Sequence, residues 1–139
     1  MGALFRRPQG IYRIAHDMTS GKGPLRTGLS STPIRCAVFI SGAGSGMHAM
    51  VTHQQTHSEC GHQTVLVVSD QPGTIGLKKA EHFGIPAHCI PLPEEDNRIL
   101  RRHLHEQQIQ HLLEEYKVEL ILPSGYMRLL SAEFVGLWP

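Results

Sequence analysis

The first segment whose residue types could bind a ligand is rich in glycine and serine, Ser41–Gly46 (SGAGSG). It lies between an apolar stretch typical of a buried strand and an amphipathic stretch typical of a helix. Glycines let the backbone approach a ligand closely and adopt positive φ. The first N–H groups of a helix, together with the positive end of its dipole, favour a phosphate. The spacing matches neither the dinucleotide fingerprint nor the Walker motif, so a tight turn without a ligand is the alternative reading at this point.

The second such segment is Ser124–Leu130 (SGYMRLL), which follows another short apolar run. A Gly-aromatic-Met-Arg stretch at the end of a strand would border a cleft with both backbone groups and apolar side chains. From the residue types alone, an equally good interpretation is a loop that packs under the next helix, with Arg128 in solvent.

A third group of reactive residue types lies close together in the sequence: His53, His57, Cys60 and His62. Two histidines four residues apart on a helix, with a cysteine nearby, could bind zinc. The group lies towards the far end of the first predicted helix, away from the cleft, and has no complete set of partners. We therefore predict no metal site.

The other titratable side chains are interpreted as structural. Cys36 and Cys89 fall in predicted strands and are expected to be small core residues. Asp70 is followed by Gln-Pro-Gly and is interpreted as a turn residue rather than as the acidic ribose partner of a dinucleotide fold. The histidines of the longest helix fall on different faces and are expected to be solvated: His103, His105 and His111.

The elements that must position these residues alternate along the chain. Four apolar runs predict strands: Ile34–Ile40, Thr64–Val68, Ala87–Leu92 and Val118–Leu122. Amphipathic segments predict helices after Gly46 and over Gly73–Phe83, Asp96–Tyr116 and the start of Ser131–Leu137. This alternation predicts an α/β fold, with a Rossmann-like open, mainly parallel sheet and flanking helices. Ligands of such sheets bind at the carboxyl ends of the strands, near the topological switch point.

Composition excludes several classes of protein. The 139 residues are 40% hydrophobic and 18% charged, which is typical of one globular domain. No apolar run approaches the roughly 18 residues of a membrane span, so no membrane partner is expected. Three cysteines form no disulfide framework. Six of the thirteen Lys and Arg residues lie in residues 1–35, which leaves the rest mildly acidic and makes nucleic acid an unexpected partner.

Residues 1–33 are rich in glycine, proline and basic side chains, and show no hydrophobic period. They are predicted to be an irregular leader preceding a domain at 34–139. Arg6 and Arg7 lack the apolar region that follows a twin-arginine signal. An organelle transit peptide is one interpretation of this leader. The favoured one is a simple upstream extension, with a cytoplasmic location for the protein.

Taken together, these segments resemble the folate-dependent glycinamide ribonucleotide formyltransferases of purine synthesis. The resemblance runs from about Ile34 to Val135. It includes FISGAGSGMHAM, VVSDQPGTIGLKKAEHFGIPAH, the Asp-Asn-Arg that opens the long helix at Asp96, and LILPSGYMRLLSAEFV. It implies the formyltransferase fold, here truncated after about the fourth strand, so that 34–139 would be the N-terminal portion of that domain.

The resemblance also implies which residues bind substrates. The backbone of Gly44, Ser45 and Gly46 would hold the phosphate of the ribonucleotide. Arg98 and the segment formed by Met127, Arg128, Leu129 and Leu130 would hold 10-formyltetrahydrofolate, the co-substrate. Ala43 and Gly46 stand where many members of the family have asparagine, which removes side-chain contacts there.

The family's catalytic asparagine and histidine lie in an Asn-Ile-His-Pro strand, and its aspartate lies much further on. None of the ten histidines here has an Asn-x-His context. The resemblance therefore places the catalytic groups beyond Pro139 and predicts that the 139-residue chain alone is inactive. Formyltetrahydrofolate hydrolase, another formyltransferase such as the methionyl-tRNA enzyme, and a noncatalytic phosphate-binding module are the alternatives. The sequence sets no oligomeric state.

Overall fold

The apolar runs form neighbouring strands of one sheet in the computed structural model, which describes residues 5–6, 13–14, 26–126, 132 and 134. The strands are β1 (Phe5–Arg6), β2 (Arg13–Ile14), β3 (Ile34–Ile40), β4 (His62–Ser69), β5 (Ala87–Cys89) and β6 (Leu120–Pro123). The helices are α1 (Ser45–Thr56), α2 (Ile75–His82) and α3 (Arg98–Glu115). No helix in these ranges is long and apolar enough to cross a membrane.

The order of the strands across the sheet is β2-β1-β6-β3-β4-β5. The pairs β3–β4, β4–β5 and β3–β6 are parallel. The chain leaves β3 on one side through β4 and β5, and then returns through α3 to β6 on the other side. The predicted α/β architecture with an open, mainly parallel sheet is therefore confirmed, and its topological switch point lies between β3 and β6.

Two short strands lie within residues 1–33, the segment that the sequence predicts to be irregular. β1 and β2 pair with each other in antiparallel fashion. β1 also pairs antiparallel with β6, through Phe5 with Ile121 and Arg6 with Leu120. A two-residue strand has too few positions to show a period in the sequence, so hydrophobic patterning could not have found either one.

The core lies on both faces of the sheet because side chains alternate along each strand. Cys36, Val38 and Ile40 point to the face covered by α1 and α2. Ala37 and Phe39 point to the opposite face, where Ile109, Leu112 and Leu113 of α3 and Phe134 pack against them. β3 is buried on both faces, as its continuous apolar sequence predicts.

The inward face of α3 includes polar side chains. Leu100 is 43% exposed, whereas His105 is 3% exposed and Glu106 is also buried. The prediction that His105 is solvated is wrong. Its Nε2 lies 2.7 Å from the carbonyl oxygen of Ile90, a hydrogen bond that compensates the burial of the ring.

Candidate functional site

The loop that follows β3 leads directly into α1. We call Ser41–Gly46 the glycine loop. Gly44 is the N-cap of α1 and has φ = 68°, a left-handed conformation that side-chain-bearing residues rarely adopt. A Cβ at Gly44 would also lie 3.1 Å from the Cα of Gly76. Both the backbone conformation and the nearby backbone of Gly76 therefore favour glycine at this position.

The start of α1 is a local source of positive potential. The first N–H groups of a helix have no intrahelical acceptor, and here they belong to Ser45, Gly46 and Met47. The N-cap contributes no side-chain hydrogen bond, and the first turn carries no acidic residue. This helix end therefore keeps the dipole and the donor groups that suit an anion.

The glycine loop touches the segment that follows β6. A Cβ on Gly46 would lie 2.5 Å from the Oγ of Ser124, so only glycine fits there without a shift. The N–H of Ser124 donates to the carbonyl oxygen of Phe39, at 2.8 Å. Two segments that are far apart in the sequence thus meet at the switch point, as the strand order predicts.

The glycine loop is also held from the other side of β3. The Oγ of Ser41 donates to Oδ1 of Asp70, at 2.7 Å, and the N–H of Gly76 donates to the carbonyl oxygen of Gly42, at 3.1 Å. Asp70 directly follows β4 and is 2% exposed. The sequence interpretation of Asp70 as a simple turn residue missed this contact, because only the parallel pairing of β3 with β4 brings Ser41 beside it.

The structure describes four of the predicted site residues. Gly44, Ser45 and Gly46 share one helix start. Arg98 is exposed at the first turn of α3, which follows β5 and therefore begins at the same edge of the sheet. Met127, Arg128, Leu129 and Leu130 lie outside the described residues. The residue before them, Tyr126, packs edge-to-face on Phe39, with ring centroids 5.2 Å apart.

An open pocket of about 560 Å³ lies beside the start of α3. Its lining comes from the loop between β5 and α3 and from one arginine of the helix: Leu92, Pro93, Glu94, Glu95, Asp96 and Arg101. The loop ends at Asn97, whose side-chain oxygen accepts from the N–H groups of Ile99 and Leu100. This cap starts α3 at Arg98, two residues later than the sequence predicts.

The histidines near the end of α1 lie close to one another. The rings of His53 and His57 stack at 4.1 Å, and Sγ of Cys60 is 3.3 Å from Nε2 of His62. Gln54 accepts from the N–H of Thr64 and directs its NH₂ group at Nδ1 of His62. Because Nδ1 then accepts, Nε2 carries the proton and faces Cys60. Within the described ranges, no group of three or more His, Cys, Asp or Glu side chains is arranged to hold a metal ion.

The cysteines in the strands are poor nucleophiles. Cys36 is fully buried, and its burial raises the pKa of its thiol to about 12. Burial, together with the negative charge of Asp70, also raises the pKa of Cys89. Both thiols are therefore protonated at neutral pH, which agrees with their interpretation as packing residues.

The sequence model of the formyl transferase family matches residues 34–139. That range contains β3 to β6, the three helices and the glycine loop. This chain belongs to the formyl transferase family. This membership explains why the segments Ser41–Gly46 and Ser124–Leu130 resemble those of glycinamide ribonucleotide formyltransferases.

Relatives with known names agree with this membership. The bovine (Bos taurus) trifunctional purine biosynthetic protein adenosine-3 is 36% identical over 118 residues, which are 84% of this chain and 11% of that protein. The phosphoribosylglycinamide formyltransferase of Brucella melitensis is 34% identical, with a TM-score of 0.68, over 74% of this chain and 51% of that one. The chain thus spans about a tenth of the trifunctional protein and about half of the single enzyme.

The same fold also occurs in a protein with a different named activity. A formyltetrahydrofolate deformylase of Pseudomonas putida aligns with a TM-score of 0.62 at 24% identity, over 73% of this chain and 33% of that one. At this identity the likeness concerns the fold alone. Substrate preference within the family must therefore be argued from the site.

Proposed function

We propose that this chain supplies the substrate-binding part of a phosphoribosylglycinamide formyltransferase. That enzyme transfers a formyl group from 10-formyltetrahydrofolate to the amine of glycinamide ribonucleotide in purine synthesis. The observation that carries the proposal is the glycine loop at the switch point between β3 and β6, in a chain whose named relatives include that enzyme. The assignment to purine synthesis carries the expectation of a cytoplasmic location.

The phosphate of the ribonucleotide is assigned to the backbone N–H groups of Gly44, Ser45 and Gly46. Two of these residues are glycine and carry no side chain that could shield their own N–H groups, and the first turn of α1 carries no acidic side chain to repel an anion. A phosphate carries about two negative charges at neutral pH and gains from both the N–H donors and the dipole. The recognition uses the backbone and needs no Walker lysine.

The folate is assigned to Arg98 and to Met127, Arg128, Leu129 and Leu130. Arg98 lies at the carboxyl edge of the sheet, exposed and available to a carboxylate or a ring face. The other four follow Ser124 by only a few residues, and Ser124 contacts Gly46. The two substrates would therefore bind side by side at the switch point, as formyl transfer between them requires. We assign no described residue to the chemical step itself.

The experiment is a titration of the 139-residue chain, followed by NMR of its backbone amides. Glycinamide ribonucleotide should shift the amides of Gly44–Gly46, and ribose 5-phosphate should shift the same amides more weakly. A non-hydrolysable formyl-folate analogue should shift amides at Arg98 and beyond Ser124 instead. If the chain is instead part of a deformylase, the folate analogue should shift backbone amides and the ribonucleotide should shift none. Binding of the ribonucleotide at other amides, or none at all, would overturn the phosphate assignment.

A further inference from the structure

A buried carboxylate stands directly behind the glycine loop. Asp70 follows the last residue of β4, and its side chain is 2% exposed. Its Oδ1 accepts from the hydroxyl of Ser41, at 2.7 Å, and its Oδ2 accepts from the amide of Gln71, at 3.2 Å. A hydrogen bond to an ionised carboxylate is about twice as strong as one between neutral groups, so the contact with Ser41 is a strong local restraint.

Ser41 is the residue where β3 ends and the glycine loop begins. The next residue, Gly42, is fixed through its carbonyl oxygen, which accepts from the N–H of Gly76. Two successive residues are thus tied to β4 and α2, whereas Gly44–Gly46 present their N–H groups at the helix start. Because glycines have wide conformational freedom, the direction of those N–H groups depends on how firmly the first two loop residues are held.

An acidic residue at the end of the second strand of a βαβ unit binds a ribose hydroxyl in dinucleotide-binding folds. Asp70 occupies that place in the topology, after β3, α1 and β4. Its burial argues against the same role here, because a side chain that is 2% exposed has almost no surface left for a ligand. Its contact with Ser41 instead directs its effect towards the glycine loop.

We propose that Asp70 is a positioning residue of the phosphate site and acts through Ser41 to hold the glycine loop ready for a phosphate. The inference rests on the proposed function for its ligand. The restraint itself is a property of the unliganded chain. Asp70 also places a negative charge near the loop, so the residue favours phosphate through geometry and opposes it through charge. Those two effects can be separated by substitution.

The experiment compares Asp70→Ala, Asp70→Asn and Ser41→Ala in the 139-residue chain. Gln71→Ala is the matched control, because it removes the hydrogen bond from the Gln71 side chain to Oδ2 and leaves the one from Ser41. Hydrogen exchange at the amides of Gly44–Gly46 reports the restraint without ligand. Titration with ribose 5-phosphate and with the folate analogue reports binding. If Asp70 and Ser41 only stabilise the fold, their substitution should weaken the binding of both ligands to the same extent.

Asp70→Ala and Ser41→Ala should each speed exchange and raise the Kd for ribose 5-phosphate about tenfold, the loss expected for one charge-assisted hydrogen bond. The double variant should be no worse than either single one. Asp70→Asn keeps an acceptor for Ser41 and should stay within about threefold, like the control, and the folate analogue should bind equally to all.

Unchanged exchange and unchanged phosphate affinity in Ser41→Ala would overturn the proposal, as would additive effects in the double variant. If Asp70→Ala does not fold, Ser41→Ala and Asp70→Asn decide the question. If the unmodified chain binds no phosphate ligand, the proposed function fails, and exchange at Gly44–Gly46 alone decides whether Asp70 restrains the loop.

Discussion

Gly46 and Ser124 are 78 positions apart in the chain, yet a single added methyl group on Gly46 would lie 2.5 Å from the Ser124 hydroxyl oxygen. This contact joins the start of α1 to the segment after β6 across the switch point. It sets the phosphate assignment and the folate assignment next to each other. The proximity follows from the parallel pairing of β3 with β6 and not from any local motif.

Gly46→Ala should stabilise the chain less than the same change does at an open helix position. The gain in helix propensity is about 1 kcal/mol, but the added Cβ would lie 2.5 Å from the Oγ of Ser124 and would force that hydroxyl into another rotamer. Ser124→Ala removes the oxygen and leaves a contact of 3.8 Å to the Cβ of residue 124. Gly46→Ala should therefore raise the melting temperature more in the Ser124→Ala background than in the unmodified chain, as thermal unfolding measures. Equal effects in the two backgrounds would show that residue 46 does not meet the Ser124 hydroxyl.

Gly44→Ala should weaken phosphate binding, because alanine at a φ of 68° strains the backbone by about 1–2 kcal/mol. The start of α1 would relax away from the conformation that presents its N–H groups. The expected effect is a rise of about tenfold in the Kd for glycinamide ribonucleotide, measured by calorimetry.

Gly42→Ala is the matched control within the same loop. A Cβ at Gly42 would meet nothing within 4 Å, so this variant should keep the affinity of the unmodified chain. Equal losses in the Gly42 and Gly44 variants would mean that the loop responds to any substitution, and the assignment of phosphate to the Gly44–Gly46 backbone would be lost.

Leu129→Asp should abolish binding of the formyl-folate analogue and leave ribonucleotide binding measurable. The reason is the family assignment of Leu129 to the pterin end of the folate, where a carboxylate would have to be desolvated. Calorimetry with each ligand separates the two effects. An unchanged affinity for the folate analogue would show that the segment after Ser124 serves packing only.

An ion pair between Arg26 and Glu119, just before β6, should make the stability of the chain depend on pH. Arg26 donates two hydrogen bonds to Glu119, and the N–H of Arg35 donates a third, at 3.0 Å. Burial alone would raise the pKa of Glu119, but the hydrogen bonds from Arg26 and Arg35 and the charges of both outweigh burial and lower it. Since the folded pKa is lowered, the stabilisation is complete above the ordinary value of 4.5 and is lost as pH falls through the folded pKa.

Arg26→Ala and Glu119→Gln test this dependence in a double-mutant cycle. The side chains are 42% and 22% exposed, so the coupling at pH 7 should be about 1 kcal/mol or less. It should shrink as the pH falls below 4.5 and through the lowered pKa of Glu119, because protonation removes the negative charge. Urea unfolding over a series of pH values measures it. A coupling that persists in acid would contradict the ionic origin of the contact.

The sequence was sufficient for the four parallel strands of the sheet, because four continuous apolar runs alternating with amphipathic segments allow few other architectures. It was also sufficient to place Gly44–Gly46 at a helix start. It could not show the buried state of Asp70, since Gln-Pro-Gly after it is typical of an exposed turn and its partner Ser41 lies 29 positions away. Nor could periodicity reveal the burial of His105, because the pattern of polar and apolar residues does not show that the ring meets the carbonyl oxygen of Ile90.

His105→Ala should destabilise the chain strongly, although histidine is a polar residue in the middle of a helix. The ring is 3% exposed, and its Nε2 lies 2.7 Å from the carbonyl oxygen of Ile90, just after β5. Removing the ring leaves that oxygen without its donor, which costs about 1–3 kcal/mol, and opens a cavity beside the sheet, which adds to the loss. His103→Ala is the matched control, because His103 is exposed two positions earlier on α3 and should change stability by less than about 0.5 kcal/mol. Urea unfolding of both variants at pH 7 measures the difference, and equal stabilities would mean that α3 does not dock on the loop after β5 through His105.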